Sequence, residues 1–385
     1  MKKKPLLALL AVLLLSAALL NGCAGGNSSK QSANAQQQAA QVQQNTQAAN
    51  LTEKETQKEL QDKTKEAEQS NQQSNKQEEN NANNAAVQVA NTNTSSVSSS
   101  KKSSGKTVSL WITKDFGKSS LLKKEIILEK NWTVFDVLQS SAQLETAQGG
   151  GFITGINGLT AESGQKKAWM YYVNGIFANV GVLDYLPHLG DVIWWDYHKW
   201  ESMSTFPAVI GSYPEPFLHG YKGKVKTTTI LSLSENQELA DKLKQVLKAK
   251  GVASVQCQDL AKNQSLTRTG PTIVLGEWKK LRQIKSLSEL NAAYSKTGTC
   301  VHFTGKGLEI INSSNKVAKT LTKSAGAIVA TGDGNGDEKP LWLVVGIDEA
   351  GLKQAVNILA GHPEKIKSCY QAAVSGGKVL SLPVQ

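Results

Sequence analysis

From residue 107 onward, apolar and polar positions alternate in short runs broken by glycine, and the alternation changes character near residue 225. In the first stretch, period-two runs at 107–112 and 124–129 predict strands, and residues 133–144 carry a helical repeat. Thr133 and Asp136 stand at capping-box spacing at the start of that repeat. Further strands are expected at 152–156, 169–174 and 192–198, separated by glycine turns. These elements predict an α+β domain over 107–200, a small antiparallel sheet with one helix.

After a Pro/Gly-rich stretch at 213–223, expected within a linker over 201–224, strand and helix patterns alternate. Strands are predicted at 228–233, 252–257, 272–275, 327–331 and 341–347, and helices at 235–250 and 349–360, the latter with Asp348 near its N-cap. Such alternation predicts an α/β domain over 225–385 with a largely parallel sheet.

The first hundred residues follow other rules. Lys2, Lys3 and Lys4 precede a short apolar run ending at Leu20-Asn21-Gly22-Cys23. A charged start, a run too short for a bilayer span and small residues before a cleavage point mark a secretory signal over 1–22. Cys23 directly after Gly22 resembles a lipobox cysteine, so diacylation of Cys23 and a lipid bilayer partner are expected. Two acyl chains meet the requirement for stable anchoring. Residues 23–106 then form a tether rich in Gln, Asn, Ser, Ala, Lys and Glu, with no aromatic residue. A segment this polar cannot bury a core and is expected to be disordered. A flexible chain of roughly 80 residues spans on the order of 50 Å, enough to lift a domain away from the membrane. The expected location is therefore the extracytoplasmic face of the cell membrane.

Charge and cysteine content narrow the chemistry. A formal net charge of +11 suits an anionic cell envelope, and no nucleic-acid motif accompanies it. Beyond Cys23 there remain Cys257, Cys300 and Cys369, an odd number without CxxC spacing, which predicts buried free thiols. No GxSxG, P-loop, HExxH or GxGxxG signature occurs, so a non-catalytic protein is expected. Asp333-Gly-Asn-Gly-Asp337 begins like a calcium loop, but Val344 stands at its twelfth position, where a bidentate Glu is needed. A polar turn is expected there, and no metal site.

The aromatic residues are the chief candidates for function. On a strand over 169–174, Trp169, Tyr171 and Val173 share one face, and Met170, Tyr172 and Asn174 the other. On 192–198, Val192, Trp194, Asp196 and His198 oppose Ile193, Trp195 and Tyr197. One face must cover the helix. The other finds no partner within the first domain, so either a ligand or the second domain is expected to cover it.

The order of these pieces carries a resemblance. A short helix over 132–144 is followed by Gly151-Phe-Ile-Thr-Gly-Ile-Asn-Gly-Leu159, then Ala168-Trp-Met-Tyr-Tyr-Val-Asn-Gly175, then Gly190-Asp-Val-Ile-Trp-Trp-Asp-Tyr-His198. This resembles the C-terminal β-rich domain of the animal cobalamin carriers, intrinsic factor and transcobalamin, and the bacterial DUF4430-like domains similar to it. The resemblance implies a corrinoid such as cobalamin as a transported ligand, held by aromatic walls and by turn amides, and an uptake transporter as partner. Phe152, Asn157, Trp169, Tyr171, Phe177, Trp194 and Tyr197 are the candidate ligand-binding residues. The helical barrel that forms the other wall in the animal carriers has no counterpart here, so the second domain is a candidate lid hinged near 214–223. His188 and His198 lie in the matching region, but cobalamin that keeps its own base needs no histidine. The alternative is a surface adhesin or wall-binding lipoprotein, its aromatic face stacking on sugars and its lysines meeting anionic polymers.

Overall fold

The computed structural model describes residues 106–200, 206–260 and 266–385, all within a unit spanning Val97–Gln385. The expected signal, Cys23 and the tether up to residue 105 lie outside the described residues. What is described is rich in β-structure, with few helices.

The first sheet contains β1 (Thr107–Lys114), β2 (Ser119–Ile127), β6 (Lys167–Val173), β7 (Ile176–Phe177) and β8 (Val192–Lys199), in the order β2-β1-β8-β6-β7. β1 runs parallel to β8 and the remaining neighbours are antiparallel. A smaller antiparallel sheet joins β3 (Leu144–Ala147), β4 (Phe152–Ile156) and β5 (Leu159–Thr160). The helix α1 (Val134–Gln139) is shorter than its sequence pattern suggests, because Leu144 is taken by β3. Its capping box is complete, with Thr133 N–H donating to Asp136 Oδ2 at 2.7 Å and Asp136 N–H to Thr133 Oγ1 at 3.4 Å. Asn157-Gly158 and Asn174-Gly175 each place both residues at positive φ, the geometry that two-residue hairpins require, and so fix the β4–β5 and β6–β7 registers.

Register then decides which aromatics meet. Trp111 pairs with Trp194, and Trp194 with Tyr172, so three large rings line one face across β1, β8 and β6. The opposite face carries Leu110, Ile112, Trp169, Val173, Ile193, Trp195 and Tyr197, packed on Val134, Val137 and Leu138 of α1 and on Ile153 and Ile156 of β4.

The second sheet has seven strands: β9 (Thr228–Ser232), β10 (Val255–Asp259), β11 (Thr272–Glu277), β15 (Ala325–Thr331), β16 (Leu341–Gly346), β17 (Gln371–Ser375) and β18 (Lys378–Leu382). Their order is β10-β9-β11-β16-β15-β17-β18. The first four are mutually parallel and the last three are antiparallel additions. The expectation of a largely parallel sheet therefore holds for one half only. In the other half β15 returns beside β16 through the 332–340 loop and β17 turns into β18 at Gly376-Gly377, connections short enough for antiparallel pairing. A separate meander of β12 (Val301–Thr304), β13 (Gly307–Ile311) and β14 (Val317–Leu321), absent from the sequence expectation, also packs in this region.

One face of the large sheet is covered by α2 (Gln237–Ala249) and α3 (Glu349–Gly361), through Leu243, Leu247, Leu352 and Val356 against Ile273, Ile328, Trp342 and Val344. The other face shares a hydrophobic core with the aromatic face of the first sheet. Trp111, Tyr172 and Trp194 belong to the same cluster as Val274, Val329, Leu341 and Tyr370. The stretch expected to be an open linker is part of this packing: Phe206, Val209, Ile210, Phe217 and Tyr221 are buried. A freely hinged clamp at 214–223 is incompatible with that burial.

Candidate ligand-binding site

The seven sequence-predicted residues do not converge on one pocket. Trp194 is fully buried, its Nε1 donates to Thr113 Oγ1 at 2.7 Å, and Tyr370 meets its ring edge-on. Phe177 is half-buried on the same side, against Tyr172. Trp169, Tyr171 and Tyr197 point to the opposite face. Trp169 Nε1 donates to the Leu159 carbonyl at 2.9 Å, Tyr171 Oη to the Val180 carbonyl at 2.5 Å, and Tyr197 Oη to the Thr160 carbonyl at 2.8 Å. Burial and the neighbouring Glu162 push the Tyr197 phenol up to about 12.

These polar tips are therefore spent on turn carbonyls, as buried Tyr and Trp require. The aromatic residues hold hairpins in place. The second sheet and Tyr370 cover the Trp194 face, which corrects the expectation of a ligand wall there.

Phe152 and Asn157 remain at the surface, at opposite ends of β4. Asn157 Oδ1 accepts from Gln143 N–H at 2.8 Å and ties the β4–β5 turn to the segment before β3. Phe152 is 46% exposed, and three residues that the sequence did not single out are exposed as well, Leu183 (43%), Leu186 (55%) and Leu189 (49%), on the loop between β7 and β8. A methyl group added at Gly151, next to Phe152, would lie 3.9 Å from Leu183 Cδ1, so the β4 end and this loop adjoin. The only available sequence signal was three leucines at even spacing in a segment ending Pro187-His188-Leu189-Gly190, where no helix could bury them.

The loop is held firmly. Val134 N–H donates to the Tyr185 carbonyl at 2.9 Å and Phe135 N–H to the Val182 carbonyl at 3.1 Å, so the orphan amides of the α1 N-terminus find their partners in it. Tyr185 is buried, and its hydroxyl accepts from Lys222 N–H at 3.0 Å. At the loop's end, Asp191 is fully buried and accepts from His188 N–H at 2.8 Å and Asn174 Nδ2 at 2.7 Å. Burial raises the Asp191 carboxyl to about 6 against those hydrogen bonds. With its backbone fixed from both ends, the loop presents leucines that have nothing of their own to cover.

Other chemistry-bearing groups are engaged structurally. Asp196 is buried and accepts from Thr113 Oγ1, Phe116 N–H and Gly117 N–H, and it pairs with His198 Nδ1 at 2.7 Å. These contacts pin the β1–β2 turn to β8. In the calcium-like loop, Arg268 Nη2 lies 2.8 Å from Asp333 Oδ1 and 3.1 Å from Asp337 Oδ2, so a guanidinium sits against the carboxylates that a cation would use. Among the described residues, no group of three or more His, Cys, Asp or Glu side chains is arranged to hold a metal ion. Cys257, Cys300 and Cys369 are free thiols, the last two buried.

Residues 131–199 match the family described as a domain of unknown function, DUF4430, and this span contains all seven sequence-predicted residues and the exposed leucine loop. No curated protein matches the chain. Among solved structures, a candidate metal binding protein from Ruminococcus gnavus is similar at 18% identity, over 24% of this chain and 97% of that one, with a TM-score of 0.22.

Proposed function

We propose that this chain is a non-catalytic binding lipoprotein, anchored through Cys23, that captures a corrinoid at the rim formed by Phe152, Leu183, Leu186 and Leu189 and passes it to an uptake transporter. One observation carries the choice of site: the rim keeps large apolar side chains in solvent on a fixed loop, while the aromatic sheet faces are filled by protein. Exposed apolar groups held at no apparent structural benefit mark a contact surface. A flat, amide-edged macrocycle matches a rim in which leucine and phenylalanine meet the ring and the backbone of the glycine turn beside Phe152 meets its amides. The corrinoid as ligand rests on the resemblance to the cobalamin carriers' β-rich domain, and the lipid anchor on the lipobox-like sequence before Cys23.

Calorimetric titration of cyanocobalamin and of cobinamide tests the ligand. Saturable binding that is lost in Leu183→Ser and Phe152→Ser is expected. Absence of binding by the folded protein would remove the corrinoid reading, and binding indifferent to both substitutions would move the site elsewhere. Incorporation of labelled palmitate, abolished by Cys23→Ser, tests the anchor.

A further inference from the structure

We propose a second, separate site: a phosphate-binding position built by Lys123, Lys367 and Ser368 around the indole of Trp111. Lys123 lies opposite Trp111 across the β1–β2 pair, and its Nζ sits 4.8 Å from the ring centroid. Lys367 arrives from the loop before β17, and its Nζ lies 5.2 Å from the same centroid. Two ammonium groups from distant parts of the chain thus meet at one ring. A single cation over an indole is a stabilising contact, but a second brings repulsion with it.

Water screens part of that repulsion, since both side chains are exposed. Neither ammonium is ion-paired among the described residues. The closest carboxylate along β2, Glu125, is engaged by the Ser109 hydroxyl. Partial burial and then the charge of Lys367 hold the Lys123 ammonium below its ordinary range, as expected for a cation short of a counter-ion.

The surrounding backbone is fixed. Lys123 Nζ donates to Ser368 Oγ at 2.6 Å, which leaves the hydroxyl proton of Ser368 available to an acceptor. Ser368 is buried and held at a φ of 65°, between two glycines. A Cβ at Gly117 would lie 1.8 Å from the Ser368 carbonyl oxygen, and one at Gly211 2.7 Å from the Ser368 Cα. This backbone holds Ser368 in place, so an anion drawn to the two exposed ammoniums meets a fixed hydroxyl beside them.

Two cations and a hydroxyl donor select the anion. A carboxylate offers one charge and two oxygens, whereas phosphate or a phosphate monoester offers close to two charges and enough oxygens to meet both ammoniums and the serine. The anion would bridge β2 to the loop before β17 and so tie the first sheet to the second. This site is independent of the corrinoid rim.

The test titrates the whole chain with inorganic phosphate and, separately, with glycerol phosphate, by calorimetry at matched ionic strength set with chloride. Saturable one-to-one binding and a phosphate-dependent rise in Tm are expected, weakened roughly tenfold or more in Lys123→Gln and in Lys367→Gln, each checked for folding by circular dichroism. Tighter binding of glycerol phosphate would identify a phosphate carried on a larger molecule, and equal binding the free ion. Affinity unchanged in the folded Lys123→Gln/Lys367→Gln double variant, or no saturable binding to either probe, overturns the proposal.

Discussion

Tyr370 presents its ring to Trp194 edge-on, with centroids 5.3 Å apart and planes at 84°. Tyr370 also meets Tyr172, Phe116, Phe206 and His198, so one side chain near the C-terminus closes the aromatic face of the first sheet. Truncating a fully buried aromatic residue loses both its transfer free energy and the packing around it. Tyr370→Ala and Trp194→Ala are each expected to destabilise by about 3–5 kcal/mol in urea unfolding. A double-mutant cycle should return a coupling of roughly 0.5–1.5 kcal/mol. A Trp194→Ala protein of unchanged stability would mean that the two sheets are not packed as described.

The rim should behave in the opposite way. Phe152 and Leu183 already stand in solvent, so serine at either position is expected to change unfolding free energy by no more than about 0.5 kcal/mol while removing corrinoid binding. Parallel unfolding and titration measurements on the same variants separate a binding role from a packing one.

Protonation near the loop gives the stability a sign with pH. The Asp191 carboxyl is raised from 3.8 to about 6 in the folded chain, mainly by burial. The native state therefore holds this proton more tightly than the unfolded state does. The resulting stabilisation is complete below about 3.8 and is lost as pH rises through about 6, on the order of 3 kcal/mol in all. His219 is raised above 6.5 by its hydrogen bond to Glu215, so its contribution is complete below 6.5 and is lost as pH rises through the folded value. Both act in the same direction. Tm is expected to fall between pH 5 and 8, with Asp191→Asn flattening the acidic part of the curve and His219→Gln the neutral part.

The capping box offers a local test. Thr133→Ala removes the acceptor for Asp136 N–H and is expected to cost about 1 kcal/mol. Because α1 also supplies the amides that hold the leucine loop, hydrogen exchange at Val134 and Phe135 should quicken in this variant. Exchange unchanged at both amides would show that the loop is held without the helix.

Arg268 is expected to do the work of a cation in its loop. Arg268→Ala leaves Asp337, which is largely buried, facing Asp333 without a counter-charge, and a loss of about 1–3 kcal/mol is expected. Calcium should leave the Tm of the unsubstituted protein unchanged. A calcium-dependent rise confined to Arg268→Ala would show that the carboxylates can take the ion once the guanidinium is gone.

What the sequence by itself determined is local. Alternation sorted Trp169, Tyr171 and Val173 from Met170 and Tyr172 correctly, because successive side chains of a strand must point to opposite sides. The turns at Asn157-Gly158 and Asn174-Gly175, the Thr133–Asp136 box and the Asp348 cap were legible because each is written within four residues. Only the tertiary structure decided which face met water. Both faces of the first sheet read as equally aromatic, and the partner of one of them, Tyr370, lies far along the chain, just before a strand that the local pattern did not announce. The antiparallel half of the second sheet, the guanidinium of Arg268 between two aspartates, and the meeting of Lys123 with Lys367 over Trp111 were illegible for the same reason. Burial and charge pairing depend on distance in space, and residues far apart in sequence acquire that distance only when the core closes.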